Sequence, residues 1–236
     1  MVHLQILTVY PEIFTSFLSQ GLIQKAIEQE KLLVDLINFR NFGIGKHMKV
    51  DAPPYGGGAG MVLRPEPIVN ALERCQEKAN SGRVHKILIS PQGEPYNQRK
   101  AQELSKLDRP IVLVCGRFEG FDERIREFVD EELSLGDYIM MGGEIAAMAI
   151  IESVGRLIPG VIGNIQSIES ESFNYDLLEY SQYTRPVSFR GKRIPEVLTS
   201  GNHKEIENWR HQNALEKTRK KRPDLFDQYI LSKAGV

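Results

Sequence analysis

Ile111-Val-Leu-Val-Cys-Gly-Arg-Phe-Glu-Gly-Phe-Asp-Glu-Arg124 is followed, after an acidic segment, by Ser134-Leu-Gly-Asp-Tyr-Ile-Met-Met-Gly-Gly-Glu144. In each stretch a short apolar run breaks at glycine, and charged or aromatic residues follow at once. Apolar runs of this length bounded by glycine read as buried strands. Loops at the ends of such strands are where open α/β sheets bind ligands. Gly116, Arg117, Phe118, Glu119, Gly120, Gly136, Tyr138, Gly142 and Gly143 are therefore expected to form one site folded from two loops.

Working outward, the alternation continues. Residues 4–10 and 32–39 read as strands, with a proline-led helix opening at Pro11 and a short helix over 22–30 between them. Residues 66–78 place Ile68, Leu72 and Cys75 on one face of an amphipathic helix. Residues 86–90 form a strand expected to end in the turn Ser90-Pro-Gln-Gly93. A helix over 98–107, a strand over 110–115, a helix over 121–132, a short strand over 138–141 and a mostly apolar helix over 143–157 complete the pattern. Strands alternating with helices predict an α/β fold with a parallel sheet. Three strand-to-loop edges, at 90–93, 116–120 and 134–143, would form a pocket if they lie on one side of it.

Residues 40–60 have no hydrophobic period and hold six glycines. Long structureless loops inside compact domains are usually functional. This one ends in Val50-Asp-Ala-Pro-Pro-Tyr-Gly-Gly-Gly-Ala-Gly-Met61, whose glycines suit close backbone approach to a ligand or a plain flexible turn. The third glycine of a dinucleotide fingerprint is missing, and no Gly-Lys-Ser/Thr follows, so both phosphate motifs fail.

The 236 residues, 41% hydrophobic and 26% charged, suit a sizeable core with a smaller second unit. The net charge of −1 hides an asymmetry: residues 174–236 hold 12 Lys+Arg against 8 Asp+Glu, or +4, leaving 18 against 23, or −5, for the rest. A basic tail on an acidic body suggests an anionic partner such as nucleic acid, the alternative being a solvated helix face. Cys75 and Cys115 have no zinc spacing and read as plain thiols of a reducing compartment. The N-terminus offers neither a charged leader nor a long apolar run, and no membrane span is seen, so a cytoplasmic location is expected. After a polar linker over 163–173, the pattern turns helical. Asn202 caps a helix running into Lys217-Thr-Arg-Lys-Lys-Arg222, and Pro223 opens a last one. Trp209 shares a face with Ile206 and reads as core.

Seven stretches together resemble one family. They are Pro53-Pro-Tyr-Gly-Gly-Gly-Ala-Gly-Met61, Ser90-Pro-Gln-Gly93, Val114-Cys-Gly-Arg-Phe-Glu-Gly-Phe-Asp-Glu-Arg124, Ser134-Leu-Gly-Asp-Tyr-Ile-Met-Met-Gly-Gly-Glu144, Arg156-Leu-Ile-Pro-Gly-Val-Ile-Gly163, Tyr183-Thr-Arg-Pro186 and Ser200-Gly-Asn-His203. In this order they look like the bacterial tRNA (guanine-N1)-methyltransferases of the SPOUT class. The resemblance implies an α/β SPOUT-type parallel sheet whose C-terminal part threads a trefoil knot (residues 1–162), a linker (163–173) and a small all-helical tRNA-binding domain (174–236). It implies a homodimer with active sites at the subunit interface. The implied reaction moves a methyl group from S-adenosyl-L-methionine to N1 of the guanine just 3′ of the tRNA anticodon.

Residue by residue, the resemblance assigns the methyl-donor pocket to Leu88, Ile89, Ser90 and Pro91, to Gly116, Phe118 and Glu119, and to Ser134, Leu135, Gly136, Tyr138, Met140, Gly142 and Gly143. Ala59 and Gly60 would lie against the target guanine with Asp51 nearby, and Glu119 would orient the guanine edge; as a plain structural residue, Glu119 would instead pair with Arg117 or Arg124. Arg156 matches the catalytic arginine. The family's general base is a linker aspartate before a Ser-Phe pair; here Glu171 precedes Ser172-Phe173 and takes that role, with Glu169 as fallback. The chain also carries Leu88 and Phe118 where relatives often have tyrosine, and Ala59 and Ala146 where many have proline. Lys217, Arg219, Lys220, Lys221 and Arg222 would contact phosphates of the anticodon arm. No metal-ligand spacing is visible among the five histidines; magnesium assistance belongs to the family picture alone. A SPOUT ribose 2′-O-methyltransferase is the alternative enzyme, and a non-catalytic RNA-binding protein the alternative class.

Overall fold

Val2-His-Leu-Gln-Ile-Leu-Thr8 alternates its side chains between two apolar layers, because residues two apart share a face of a strand. Val2, Leu4 and Ile6 enter one core cluster while Leu7 enters another. The computed structural model describes residues 1–79, 82–163, 171–173 and 176–234. It divides into two units, Met1–Gly163 and Asn164–Val236.

In the first unit, strand β1 (Val2–Thr8) is followed by a 3-10 turn (Pro11–Phe14), helices α1 (Thr15–Leu18) and α2 (Gly21–Glu28), and strand β2 (Leu32–Asn38). Within residues 40–60, expected to be structureless, Asp51–Ala52 (β3) pairs antiparallel with Val62–Leu63 (β4). Helix α3 (Pro65–Lys78), strand β5 (His85–Pro95), helix α4 (Gln98–Ser105), strands β6 (Ile111–Cys115) and β7 (Glu131–Ser134), and helix α5 (Glu144–Arg156) follow. The main sheet has the order β2-β1-β6-β5-β7, and its pairings are parallel. The expected α/β fold with a parallel sheet is therefore present. Burial on both faces explains why β6 reads as five consecutive apolar residues, all buried.

Two expectations around the opening stretch are corrected. Residues 121–132 do not form one helix: Glu123–Phe128 is a 3-10 turn, and β7 follows it. Residues 138–141 are not a strand; Ile139 and Met141 are 82% and 92% exposed. The strand lies earlier, in a segment whose glutamates disguise it. Glu131 and Glu132 are accommodated at the sheet edge by His85, Lys100, Ser90 and Arg126, while Leu133 alone fills the core. A third correction concerns Ser90-Pro-Gln-Gly93, which interrupts β5 without ending it. Ile89 and Glu94 both align with Leu133.

In the second unit a small hairpin, Ser188–Phe189 (β8) with Lys192–Arg193 (β9), precedes helices α6 (His203–Lys221) and α7 (Pro223–Ala234). Asn202 caps α6 as expected, its side chain accepting from the Glu205 amide at 3.4 Å. Trp209 is half-buried and packs beside Tyr183, with ring centroids 6.3 Å apart.

Candidate functional site

Beyond the carboxyl ends of β6 and β7, and beside the interruption within β5, three loops enclose a cavity of about 440 Å³. That falls within the ~300–1,000 Å³ of small-molecule sites. Ile89, Ser90 and Pro91 line it from the first loop, and Gly116, Phe118 and Glu119 from the second. Ser134, Leu135, Gly136, Tyr138, Met140, Gly142 and Gly143 line it from the third. Leu88 does not: the strand's two-residue period turns its side chain into the core, where it is wholly buried.

The second and third loops are stitched together. The Gly143 amide donates to the Gly116 carbonyl at 2.9 Å, and Arg117 and Gly142 form an antiparallel bridge. Beneath them Glu144, the first residue of α5, is 1% exposed. Its carboxylate stands 2.8 Å from Arg117 Nη2 and accepts a 2.7 Å hydrogen bond from the buried Thr8 hydroxyl. A carboxylate at a helix N-terminus is also favoured by the helix dipole. Arg117 lies with its guanidinium 4.6 Å above the Tyr10 ring. The next residue, Phe118, takes a left-handed backbone (φ +59°), a conformation that costs a bulky residue energy and recurs at ligand-binding loops.

The plain structural alternative for Glu119, an ion pair with Arg117 or Arg124, does not form. Arg117 is held by Glu144, and Arg124 by Asp122 at 2.8 Å, which keeps the Asp122 carboxyl below its ordinary range. Glu119 instead faces the glycine run. Its amide donates to the Met61 carbonyl at 2.9 Å, and a Cβ on Gly60 would lie 2.5 Å from its Cγ. Ala59 is exposed one residue earlier. Asp51, half-buried in β3, stands opposite Leu63, whose carbonyl accepts from the Asp122 amide. The glycine run thus reaches the cavity mouth through β4.

Arg156 is not brought to the cavity within one chain. It is the exposed last residue of α5, about 18 Å along the helix from its cavity end. Glu171 is half-buried in the second unit, and Glu169 lies outside the described residues. In the basic run, Arg219, Lys220 and Lys221 are exposed. Lys217 is turned back to the Glu179 carbonyl at 2.8 Å, and Arg222 is paired with Asp224 at 2.6 Å.

Sequence reading missed the charged supports of the loops: Glu144 with Thr8, and Arg126 with Glu132. An acid directly after Gly142-Gly143 at a helix start was a usable signal for Glu144; nothing local marked the other pair. Among the described residues no group of three His, Cys, Asp or Glu is placed to hold a metal ion, and no helix is long and apolar enough to cross a membrane.

A parallel sheet whose glycine-rich loops wall a ligand cavity at the carboxyl edge defines an α/β ligand-binding fold of the kind enzymes use. Comparison narrows it: the model of the tRNA (Guanine-1)-methyltransferase TrmD family matches residues 2–228, and the chain belongs to that family. It is 49% identical over 232 residues to a tRNA (guanine-N(1)-)-methyltransferase of Geobacillus kaustophilus, covering 98% of this chain and 94% of that one. A Staphylococcus aureus protein of the same name is 50% identical over 229 residues (97% and 92%), and one of Oceanobacillus iheyensis 47% over 232 (98% and 94%).

Proposed function

We propose that this chain methylates N1 of the guanine immediately 3′ of the anticodon in tRNA, using S-adenosyl-L-methionine. The observation that carries the reading is the cavity at the ends of β6 and β7 and the interruption of β5, in a chain of this family. Its volume suits a ligand of the donor's size. Its walls offer backbone groups of the third loop, and side chains of both signs, Arg117 and Glu119, which suit a ligand that carries charges of both signs.

When bound, S-adenosyl-L-methionine supplies an electrophilic methyl group on a sulfonium sulfur. Guanine N1 carries a proton at neutral pH and attacks poorly until it is lost. In this reading Glu171 accepts that proton, the N1–methyl bond forms as the carbon–sulfur bond breaks, and Arg156 offsets negative charge building on O6. Glu119, Asp51, Ala59 and Gly60 hold the guanine at the cavity mouth. Leu88 contributes through its backbone, since its side chain is in the core.

Because Arg156 stands at the far end of α5, we read the complete site as shared between two copies, with Glu171 given by the opposite subunit. The finer fold reading is a SPOUT sheet with a C-terminal trefoil knot over residues 1–162, a linker over 163–173, and a helical domain over 174–236 that grips the anticodon arm. The enzyme would work in the cytoplasm. Magnesium assistance stays a family-level expectation with no ligand set among the described residues. The test is incubation with labelled methyl donor and tRNA transcripts bearing or lacking guanine beside the anticodon. Label should appear at N1 of that guanine only; label on ribose, or label independent of that base, would overturn the reading.

A further inference from the structure

We propose that Arg126 and Glu132 are a positioning pair that holds the Ser90-Pro-Gln-Gly93 excursion of β5 as one wall of the methyl-donor pocket. This deepens the methyltransferase reading and rests on it.

Ile89 and Glu94 both align with Leu133, so four residues between them leave the ladder. Ser90, Pro91 and Gln92 of this excursion line the cavity. A continuous strand would keep them in the sheet and remove that wall. Something must hold them out, because an unpaired excursion beside a parallel ladder has few hydrogen bonds of its own. Within it, the Gln92 amide donates to Ser90 Oγ at 3.0 Å.

The remaining restraint runs through two charged side chains. Glu132 of β7 accepts from the Ser90 hydroxyl and from Arg126 Nε and Nη2, both at 3.0 Å. The same Nη2 reaches Gln92 Oε1 at 2.7 Å, and Nη1 pairs with Glu123. The guanidinium therefore ties the strand edge to Gln92 directly and to Ser90 through the Glu132 carboxylate. Its planar fork serves several acceptors in fixed directions, which a lysine ammonium cannot copy. At the excursion's end, Gly93 lets the backbone close onto β7: a Cβ there would stand 2.4 Å from the Leu133 amide. Arg126 and Gln92 also line the cavity, so a disturbance of the pair reaches the wall directly.

Arg126→Met, Arg126→Lys and Glu132→Gln test the pair on the full chain. Without ligand, Arg126→Met should exchange the amides of Ser90, Gln92, Gly93 and Glu94 about tenfold faster than the parent, the effect of losing a charge-assisted hydrogen bond. S-adenosyl-L-methionine titrated by calorimetry should bind about tenfold more weakly, and its KM should rise with kcat and the tRNA KM unchanged. Glu132→Gln should behave alike, and Arg126→Lys should recover only part of the loss. Unchanged exchange and donor affinity would overturn the proposal. So would a loss shared equally by donor and tRNA with a lowered melting temperature, the mark of general damage. A parent protein that binds no S-adenosyl-L-methionine would sink the methyltransferase reading instead, while the ligand-free exchange would still decide whether the pair holds the wall.

Discussion

Arg117 and Glu144 meet at 2.8 Å beneath the junction of two ligand-cavity loops, with the glutamate 1% exposed. The carboxylate also accepts from Thr8, and Arg117 Nη1 reaches the Met141 carbonyl at 3.3 Å. Removing one member of a buried ion pair leaves the other charge stranded, which typically costs about 3–5 kcal/mol. Arg117→Met should lower stability by about that much in urea unfolding, because it strands the buried Glu144 carboxylate, and Glu144→Ala by less, because the arginine left behind is only partly buried. The double variant should cost less than the sum of the singles. Additive losses would show that the two side chains act independently.

Gly60 has φ +78° and touches Glu119 where the glycine run meets the cavity mouth. Gly60→Ala adds about 1–2 kcal/mol of left-handed backbone strain and pushes on the Glu119 side chain. The expected result is a fall of about tenfold in kcat/KM for tRNA, with donor affinity in calorimetry unchanged. Weakened donor binding would place Gly60 in the donor wall instead.

Glu171→Gln should reduce methyl transfer by about 10²–10⁴-fold in single-turnover assays, the usual worth of a positioned general base. Glu169→Gln should be nearly silent. Near-normal transfer in Glu171→Gln would remove that residue from the role and promote its neighbour.

Acid should loosen the edge strand β7. The His85 hydrogen bond, with Lys100 adding to it, holds the Glu131 carboxyl below the ordinary carboxylate range. A carboxyl depressed in the folded state gives stability that is present above its unfolded pKa of about 4.3 and is lost as pH falls through the folded value. Urea midpoints measured from pH 6 down to pH 3 should therefore drop, and Glu131→Gln should drop less over the same window. Parallel curves for the two proteins would mean that Glu131 contributes nothing to acid sensitivity.

Much of the main sheet was readable because β6 is buried on both faces and so appears as an unbroken apolar run, and β1 is mostly apolar. The glycines of the cavity loops were readable for a related reason: each ends or follows such a run. β7 was not, because Glu131 and Glu132 are stabilised by partners some forty residues away in sequence. The excursion of β5 looked like a strand end, since Ser-Pro-Gln-Gly is turn chemistry and only the pairing of Glu94 with Leu133 shows that the strand resumes. Arg156 was legible by resemblance only; its distance from the cavity along α5 had no sequence signature.

The Thr8, Arg117 and Glu144 cluster draws its members from the ends of β1 and β6 and the start of α5. Each is useful only while the other two are present, so single replacements should be purged and joint replacements tolerated. Drift at this node should then proceed by coordinated change: a lineage that replaces Glu144 with an apolar residue should also have lost the arginine charge. For anyone redesigning the cavity loops, these three positions behave as one site with a shared alphabet.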